Sequence, residues 1–270
     1  VHSPHLAISG YAGNSTLQLR RSTDDADLDF VPNNKGWLLS SSVAAWVGGG
    51  TAFVQKVYDQ TGNSRSLDQT TDANQPTLDL TAKYARIRFT AASSQYLTGS
   101  NLGAFSQNAA AASLLAVRRQ ATTVASNGVG RALIIVSTAT ATTGRMFLTA
   151  SATGNVFRGG GRRLDADSAT NSSGIAENLE WASQIGRVDF VAGQLFHRVG
   201  GSVESTASLA TSGGNSQNTA SSRVRVGAGL ANTPDVFFDG YMTLTAFVRD
   251  KLSDAEDAAL PAALQPFHIG

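Results

Sequence analysis

The stretch from residue 57 to residue 76, VYDQTGNSRSLDQTTDANQP, is the part of the sequence that most resembles a loop able to do chemistry. It places Tyr58 beside three aspartates, Asp59, Asp68 and Asp72. The segment is either an active-site loop that holds a catalytic carboxylate or a structural corner that happens to be acidic.

The same residues also specify a turn without any catalysis. Asp59 can accept hydrogen bonds from backbone amides two residues on, Gly62 supplies a left-handed conformation, and Asn63 tolerates unusual dihedral angles. We therefore predict that Asp59, Gly62 and Asn63 form a structural turn at the end of a strand.

A second acidic segment, STDDADLDF, raises the question of a calcium site. Calcium takes six to eight oxygen ligands, but the spacing and the distal glutamate of an EF-hand are missing here. We predict a solvated acidic hairpin and no cofactor, with calcium as the weaker alternative. The carboxylates concerned are Asp24, Asp25, Asp27 and Asp29, and the same alternative applies to Asp165 and Asp167.

The segment FRGGGRRLD offers three glycines among arginines, which predicts a tight hairpin flanked by arginines, with an anion-binding nest as the weaker alternative. Trp37, in the loop NNKGWLL, is the best candidate for an exposed aromatic platform, because Trp46 and Trp181 fit a core better. We predict that carbohydrate contacts come from Trp37, Arg158, Arg162 and Arg163.

Composition limits the classes of function. The chain has 270 residues, 15% of them charged, a net charge of +1 and no cysteine. A charge so close to zero argues against nucleic-acid binding, and the absence of cysteine excludes disulfides and thiolate metal sites. The longest apolar runs are too short to span a bilayer, so we expect no membrane insertion. A polar, weakly charged surface suits an extracellular or particle-bound protein.

Short runs rich in Val, Ile, Phe and Thr recur between turn residues, as in antiparallel strands. In 86–89 and 223–226 arginines alternate strictly with apolar residues, which predicts a buried face and a face of arginines in water. Two stretches read as helices, SSSVAAWVG and the segment in which Ser253 and Glu256 form a capping box.

This pattern predicts an all-β fold, a jelly-roll β-sandwich with two short peripheral helices and less than about 15% helix, well below the usual third. We expect residues 1–15 to form an extended N-terminal arm and residues 16–270 to form one domain.

Residues 17–80 resemble the opening of the α-L-arabinofuranosidase B catalytic domain family. There a V-R-R-S strand, a small helix, a WYDQSGNG turn and an AANQP segment occur in the order that 19–22, 41–48, 57–63 and 73–76 follow here. The later segments FTAASSQYLTG and FFDGYMTLTAFVRDKLSDAE resemble laminin-G-like, concanavalin A-like sandwiches. The resemblance implies two curved antiparallel sheets packed face to face.

The family is one of retaining glycosidases, which need a nucleophilic carboxylate and a carboxylic acid about 5 Å apart. Its glutamate nucleophile lies in a D-L-E-N-G-L-F-S-G-like stretch that nothing in this sequence matches, and its adjacent cysteines are absent. The glutamates available are Glu177, Glu180, Glu204 and Glu256. The resemblance therefore implies the scaffold and not the active site, and we assign no catalytic residue.

The same opening segment also occurs in bacteriophage proteins. Together with the missing glutamate motif and the polar surface, it favours a non-catalytic virion component, in a decoration, fibre or tail, that contacts host surface glycans. The expected partners are other virion proteins and host cell-surface polysaccharide, with many copies on one particle and a virion or extracellular location. Two alternatives stay open: a secreted glycoside hydrolase acting on α-L-arabinofuranosides, and an architectural virion protein with no sugar ligand.

Overall fold

A computed structural model describes residues 1–5, 7–99, 105–123, 131–138, 146–151, 153–164, 166–217, 222–229 and 234–267, without the side chains of 137, 138 and 222. Within these residues the strands are β1 Leu17–Arg21, β2 Asp27–Phe30, β3 Ala52–Val57, β4 Leu67–Asp68, β5 Thr77–Asp79, β6 Arg86–Phe89, β7 Leu97–Gly99, β8 Ala111–Gln120, β9 Arg131–Thr138, β10 Met146–Ser151, β11 Val156–Gly161, β12 Thr170–Asn171, β13 Ile175–Ala176, β14 Ala182–Asp189, β15 Gln194–Val199, β16 Ser205–Ser208, β17 Ser222–Val226 and β18 Gly240–Val248. The helices are α1 Ser40–Val47 and α2 Asp254–Ala263.

The strands pair antiparallel in two branches that meet at β3. One branch runs β5, β6, β18, β8, β14, β15 and β16, and the other runs β4, β7, β17, β9, β10 and β11. The two branches pack face to face: the Gln184 side chain of β14 donates to the backbone oxygens of Thr149 on β10 and Arg158 on β11. Strand accounts for 40% and helix for 14% of the protein, which confirms the predicted jelly-roll β-sandwich with two short helices.

The core lies between the sheets and follows the alternation of the strands. Leu17, Leu19 and Val54 are fully buried on β1 and β3, and Leu114 and Val188 are buried on β8 and β14. A single large cluster of buried apolar side chains includes all five. Since successive residues of a strand face opposite sides, the residues between these positions are left for the outer surface.

Helix α2 covers the outer face of the sheet that contains β14. Its N-terminus carries the predicted capping box, in which Ser253 Oγ accepts from the Glu256 N–H and the Glu256 carboxylate accepts from the Ser253 N–H. Pro261 does not end the helix, which continues to Ala263. A buried arginine of β14, Arg187, donates to Asp254 of this helix at 2.9 Å.

The prediction of a water-facing row of arginines is wrong for two of the four. Arg86 and Arg225 are each only 6% exposed, Arg88 is half-buried, and Arg223 is exposed as predicted. Arg86 forms an ion pair with Asp79, Arg88 pairs with Asp239 at 2.7 Å, and both guanidinium groups lie over the ring of Tyr241 at about 5 Å. The outer face at these strands is thus covered by side chains that compensate the buried charge.

The first residues of the chain lie against the sandwich. The backbone of His2 exchanges two 2.8 Å hydrogen bonds with Thr245 of β18, and His5 is fully buried. Residues Ser9–Tyr11 form a 3₁₀ helix. The domain boundary at residue 16 stays a prediction. In the described part of the chain, no helix is both long and apolar enough to cross a membrane.

Candidate functional site

An open pocket with a cavity volume of about 490 Å³ lies where the turn after β3 meets β4. The volume falls in the range of small-molecule sites. The pocket is lined by Tyr11, Lys56, Tyr58, Asp59, Gly62, Ser64, Ser66 and Asp68, and we call it the Tyr58 pocket.

The pairing of β3 with β4 explains how these side chains meet. Lys56 is the cross-strand partner of Asp68, and Val57 is that of Leu67. Val57 and Leu67 are buried in the core, so Lys56 and Asp68 point outward. Tyr58 follows Lys56 by two residues and therefore lies on the same outer side, with the Lys56 ammonium 5.5 Å from the centre of its ring.

The Tyr58 hydroxyl is held in place by Asp29 of β2, to which it donates a 2.9 Å hydrogen bond. Burial, and then this hydrogen bond to a carboxylate, raise the pKa of Tyr58 to about 12. The phenol therefore stays protonated at neutral pH and presents a ring and a fixed hydroxyl to the pocket. Burial also raises the pKa of Tyr11, on the other wall.

The Asp59 carboxylate lines the pocket and accepts the hydrogen bonds that hold the turn after β3. Its Oδ1 accepts from the Thr61 backbone N–H at 3.0 Å and its Oδ2 from the Arg65 N–H at 3.3 Å, while the Thr61 hydroxyl bonds both oxygens at 2.8 Å. Gly62 has φ +77°, and Asn63 Nδ2 donates to the Thr61 hydroxyl at 2.8 Å. These contacts are those of the turn predicted from the sequence, and the turn also forms one wall of the pocket.

The pKa values of the two carboxyl groups that line the pocket are shifted in opposite directions. Burial raises the pKa of Asp59, but the hydrogen bonds from the Thr61 N–H and hydroxyl, together with the attraction of the Val1 ammonium group at 3.3 Å and of His2, bring it below its ordinary value. Burial raises the pKa of Asp68, and the attraction of Lys56 only partly opposes it. The site thus holds one firmly ionised carboxylate and one carboxyl group that keeps its proton to higher pH, the division of roles that acid–base chemistry needs.

Sequence reasoning singled out Asp59 and noted Asp68, but it assigned neither of them to a binding site. It missed Tyr11, Lys56, Ser64 and Ser66 altogether. The alternation of Lys56 and Tyr58 around the buried Val57 was the available signal. The cross-strand position of Asp68 could not be derived, because it depends on the register of a two-residue strand.

The predicted carbohydrate contacts do not converge on this pocket. Trp37 is half-buried and packs against His5, Tyr84 and Phe267, with ring centres 5.0, 4.9 and 6.0 Å away. Trp37 and the three predicted arginines, Arg158, Arg162 and Arg163, do not form one site. Trp46 is half-buried against Phe30, at 5.4 Å.

The three arginines bond to backbone oxygens of nearby loops: Arg158 to Thr153 at 3.4 Å, Arg162 to Asp167 at 3.1 Å and Arg163 to Asn215 at 3.3 Å. The glycines between them lie inside strand β11 and not in a hairpin, so that part of the prediction is wrong. These positions need glycine for steric reasons. A Cβ on Gly160 would overlap the Phe147 ring, and one on Gly159 would lie 3.1 Å from His197.

Two carboxylates of the acidic segment form ion pairs with arginines of the adjoining strand β1. Asp24 pairs with Arg21 at 2.6 Å, Asp25 pairs with Arg20 at 2.5 Å, and Asp29 accepts from Tyr58. Asp27, the remaining member, lies exposed on β2. Among the residues that the structure describes, no group of three or more His, Asp or Glu could hold a metal ion.

In the second acidic segment, Asp167 accepts from Leu164 and Thr211, whereas Asp165 lies outside the described residues. The glutamates have other roles. Gln120 donates to Glu177 at 2.7 Å, Arg187 pairs with Glu204, and Glu256 caps α2. No glutamate lines the Tyr58 pocket, whose acidic groups are both aspartates.

The fold is a concanavalin A-like jelly-roll β-sandwich. Among solved structures, a GH54 α-L-arabinofuranosidase soaked with a cyclic sulfate inhibitor matches with a TM-score of 0.72 at 16% identity, over 100% of this chain and 63% of that chain. An arabinofuranosidase complexed with arabinofuranosyl-α-1,2-xylobiose matches with a TM-score of 0.71 at 14% identity, over the same shares. The protein therefore spans 63% of the length of these chains, which is less than two thirds.

A more distant likeness is to a mutant of NanB sialidase from Streptococcus pneumoniae, with a TM-score of 0.50 at 12% identity, over 64% of this chain and 27% of that one. No family model matches the sequence, and no curated protein matches it. At these identities the structural matches establish the fold.

These matches correct the main functional hypothesis from the sequence. The hypothesis of a non-catalytic bacteriophage virion component is wrong, because whole-chain structural similarity leads to arabinofuranosidases and no phage protein supports it. The alternative of a glycoside hydrolase acting on arabinofuranosides is the better supported of the sequence-based hypotheses.

Proposed function

We propose that the protein is a carbohydrate-active domain of the arabinofuranosidase kind, which binds a sugar residue in the Tyr58 pocket and cleaves its glycosidic bond. One observation carries the proposal: Asp59 and Asp68 line the same pocket, and their pKa values move in opposite directions. The whole-chain similarity to arabinofuranosidases supports this class of substrate.

Glycosidic hydrolysis needs a proton on the leaving oxygen and a negative charge near the sugar ring as positive charge develops there. Asp68 is the proton donor in this proposal, because burial raises its pKa. Asp59 supplies the fixed charge. It is not the attacking group, since both of its oxygens already accept hydrogen bonds from Thr61. Water is the nucleophile: it bonds to the anomeric carbon as the bond to the leaving oxygen breaks, and the proton that it releases passes to the Asp68 carboxylate left by the first proton transfer.

Sugar binding follows from the other side chains of the pocket. Tyr11 and Tyr58 offer aromatic rings, and Ser64, Ser66 and Lys56 offer donors for hydroxyl groups. Polar groups around a partly aromatic cleft are the usual composition of a site that orients one small ligand.

The test is release of 4-nitrophenol from 4-nitrophenyl α-L-arabinofuranoside by the wild type and by Asp68→Asn. We expect the variant to lose at least about 100-fold in kcat while its circular dichroism is unchanged, as for removal of a general acid. The matched control is Asp27→Asn, which makes the same change at an exposed position of β2. Equal rates for Asp68→Asn and the wild type, or no hydrolysis by the wild type, would refute the proposal.

A further inference from the structure

The outer face of the sheet continues from the Tyr58 pocket across β7 to β17. The strand register pairs Asp68 of β4 with Thr98 of β7, and it pairs Thr98 with Arg225 of β17. Cross-strand partners point to the same side of a sheet, so these three side chains share the outer face with the pocket. Val224, beside Arg225 in β17, is buried in the core, which agrees with this orientation.

The strand directions place Arg223 on the pocket side of this row. Ser66 lines the pocket and precedes Asp68, so the pocket lies toward the N-terminal end of β4. Strand β7 is antiparallel to β4, and β17 is antiparallel to β7, so the same direction leads to the N-terminal end of β17. Arg223 lies there, two residues before Arg225, and therefore also points outward. Two strand spacings, about 10 Å in all, separate β4 from β17.

Arg223 carries an exposed positive charge. Among the residues that the structure describes, no carboxylate forms an ion pair with it. The neighbouring Arg225 is held inside, where its guanidinium donates to the Gly229 backbone oxygen at 3.0 Å. Burial lowers the pKa of Arg225, and the positive charge of Arg223 lowers it further. This part of the outer face is therefore electropositive, and its accessible charge is that of Arg223.

The chemistry proposed for the pocket determines which part of a substrate lies on this side. Asp68 gives its proton to the leaving oxygen, and it stands at the edge of the pocket that borders β7. The leaving group is bonded to that oxygen, so it extends from the pocket over β7 toward β17. Thr98 presents only a short side chain on the way, and its hydroxyl donates to the Val224 backbone oxygen at 3.2 Å. A leaving group of a few sugar residues would thus reach Arg223.

We propose that Arg223 is a specificity-determining residue of the site and binds a carboxylate of the leaving group. The substrate class is then an arabinofuranosyl side chain carried by an acidic polysaccharide, one that contains uronic acid residues. A guanidinium group pairs with a planar carboxylate through two parallel hydrogen bonds, whereas a neutral chain offers only hydroxyl groups. The inference rests on the function proposed for the Tyr58 pocket, since Asp68 defines the leaving side.

The test compares kcat/KM for three α-L-arabinofuranosides: the 4-nitrophenyl glycoside, a neutral arabinofuranosyl oligosaccharide, and an otherwise identical oligosaccharide with a uronic acid in its leaving group. We expect Arg223→Glu to lose about five- to tenfold on the acidic substrate, mainly through KM, because repulsion replaces attraction. The other two substrates should be cleaved as by the wild type. Arg223→Lys should keep part of the preference for the acidic substrate, and this preference should fall as sodium chloride is raised.

Arg119→Glu is the matched control. Arg119 is an exposed arginine of β8, in the other branch of strands, so the same reversal of charge there should leave all three values unchanged. Equal kcat/KM of Arg223→Glu and the wild type on the acidic substrate, with hydrolysis intact, would overturn this inference alone.

No hydrolysis of any of the three substrates by the wild type would instead refute the function proposed for the pocket. Calorimetric binding of the two oligosaccharides then decides on Arg223. Tighter binding of the acidic one, lost in Arg223→Glu, would support its role, and equal affinity of the wild type and Arg223→Glu for the acidic one would overturn it.

Discussion

The backbone N–H of Thr61 donates a 3.0 Å hydrogen bond to Oδ1 of Asp59, two residues earlier in the chain. This contact closes the turn after β3 and helps to lower the pKa of Asp59, whose carboxylate lines the Tyr58 pocket. One local turn therefore does two things: it shapes the wall of the pocket and sets the charge inside it.

Replacing Asp59 should destabilise the protein in proportion to the acceptors lost. Asp59→Ala removes every acceptor and should cost about 2 kcal/mol, whereas Asp59→Asn keeps one oxygen and should cost about 1 kcal/mol. Denaturant unfolding checks both values. If Asp59→Ala unfolded with the wild-type free energy, the turn would not depend on this carboxylate.

A β-branched residue at position 62 should lower the free energy of unfolding. Its φ of +77° is readily adopted by glycine and strained for other residues, although a Cβ there would meet no neighbour within 4 Å. Gly62→Val should therefore cost about 1–2 kcal/mol through backbone strain alone. Gly49→Val, at a neighbouring-loop glycine with equally open space and no positive φ, is the control. Equal losses in the two variants would contradict the role of φ.

Three buried histidines should make the protein sensitive to mild acid. Burial lowers the pKa of His5 and of His197 to about 3 and that of His2 to about 4 in the folded protein, while an unfolded histidine titrates near 6.5. Their contribution to stability is therefore complete above pH 6.5 and is lost as the pH falls toward 3, at about 1.4 kcal/mol per pH unit for each histidine.

Asp68, whose pKa burial raises, should offset a small part of this loss, because the folded state takes up its proton first. The measurement is the free energy of unfolding from pH 7 to pH 4.5. His197→Gln should flatten the dependence on pH by about one proton. A dependence identical to that of the wild type would show that His197 titrates in the folded protein.

Substitutions of Arg187 and Asp257, which pair beneath α2, should have non-additive effects on the free energy of unfolding. Arg187 and Asp257 have side chains that are each only 1% exposed, with the nearest nitrogen and oxygen 3.7 Å apart. Arg187→Met leaves a buried carboxylate with less compensation and should cost about 3 kcal/mol. Arg187→Met/Asp257→Leu should recover part of that loss. A double-mutant cycle measures the coupling, and strictly additive losses would contradict it.

The glycines of β11 should be required for sheet packing. A Cβ on Gly160 would overlap the ring of Phe147 on β10, so Gly160→Ala should destabilise the protein by about 1–3 kcal/mol. Phe147→Ala in the same chain should recover part of this loss by removing the overlapped ring. Thermal unfolding of both variants checks the pair, and a neutral Gly160→Ala would contradict the close approach.

Much of the fold could be predicted from the sequence, because the relevant signals are local. Period-two alternation in strands such as β6 and β17, the capping box at Ser253 and the turn residues around Gly62 each act over a few residues. The sandwich architecture was also implied by the resemblance of two later segments to laminin-G-like, concanavalin A-like sandwiches, and the solved arabinofuranosidases confirm it at the level of fold.

What could not be predicted depends on contacts between distant segments. The arginines at 86 and 225 look like surface residues in an alternating pattern, yet partners elsewhere in the chain bury them. Gly159 and Gly160 look like a turn, yet aromatic and histidine side chains of other strands require them inside β11. The pocket itself exists because β4 pairs Asp68 with Lys56, a register that two residues cannot encode alone.

The most direct test of the central claim is a crystal structure of Asp68→Asn soaked with 4-nitrophenyl α-L-arabinofuranoside. We predict the arabinofuranose ring in the Tyr58 pocket, against Tyr11 and Tyr58, with its glycosidic oxygen within hydrogen-bonding distance of the residue at position 68. A sugar bound only elsewhere, such as beside Glu177 or Trp37, would contradict the prediction, as would a pocket that stays without sugar when the ligand saturates the protein in solution.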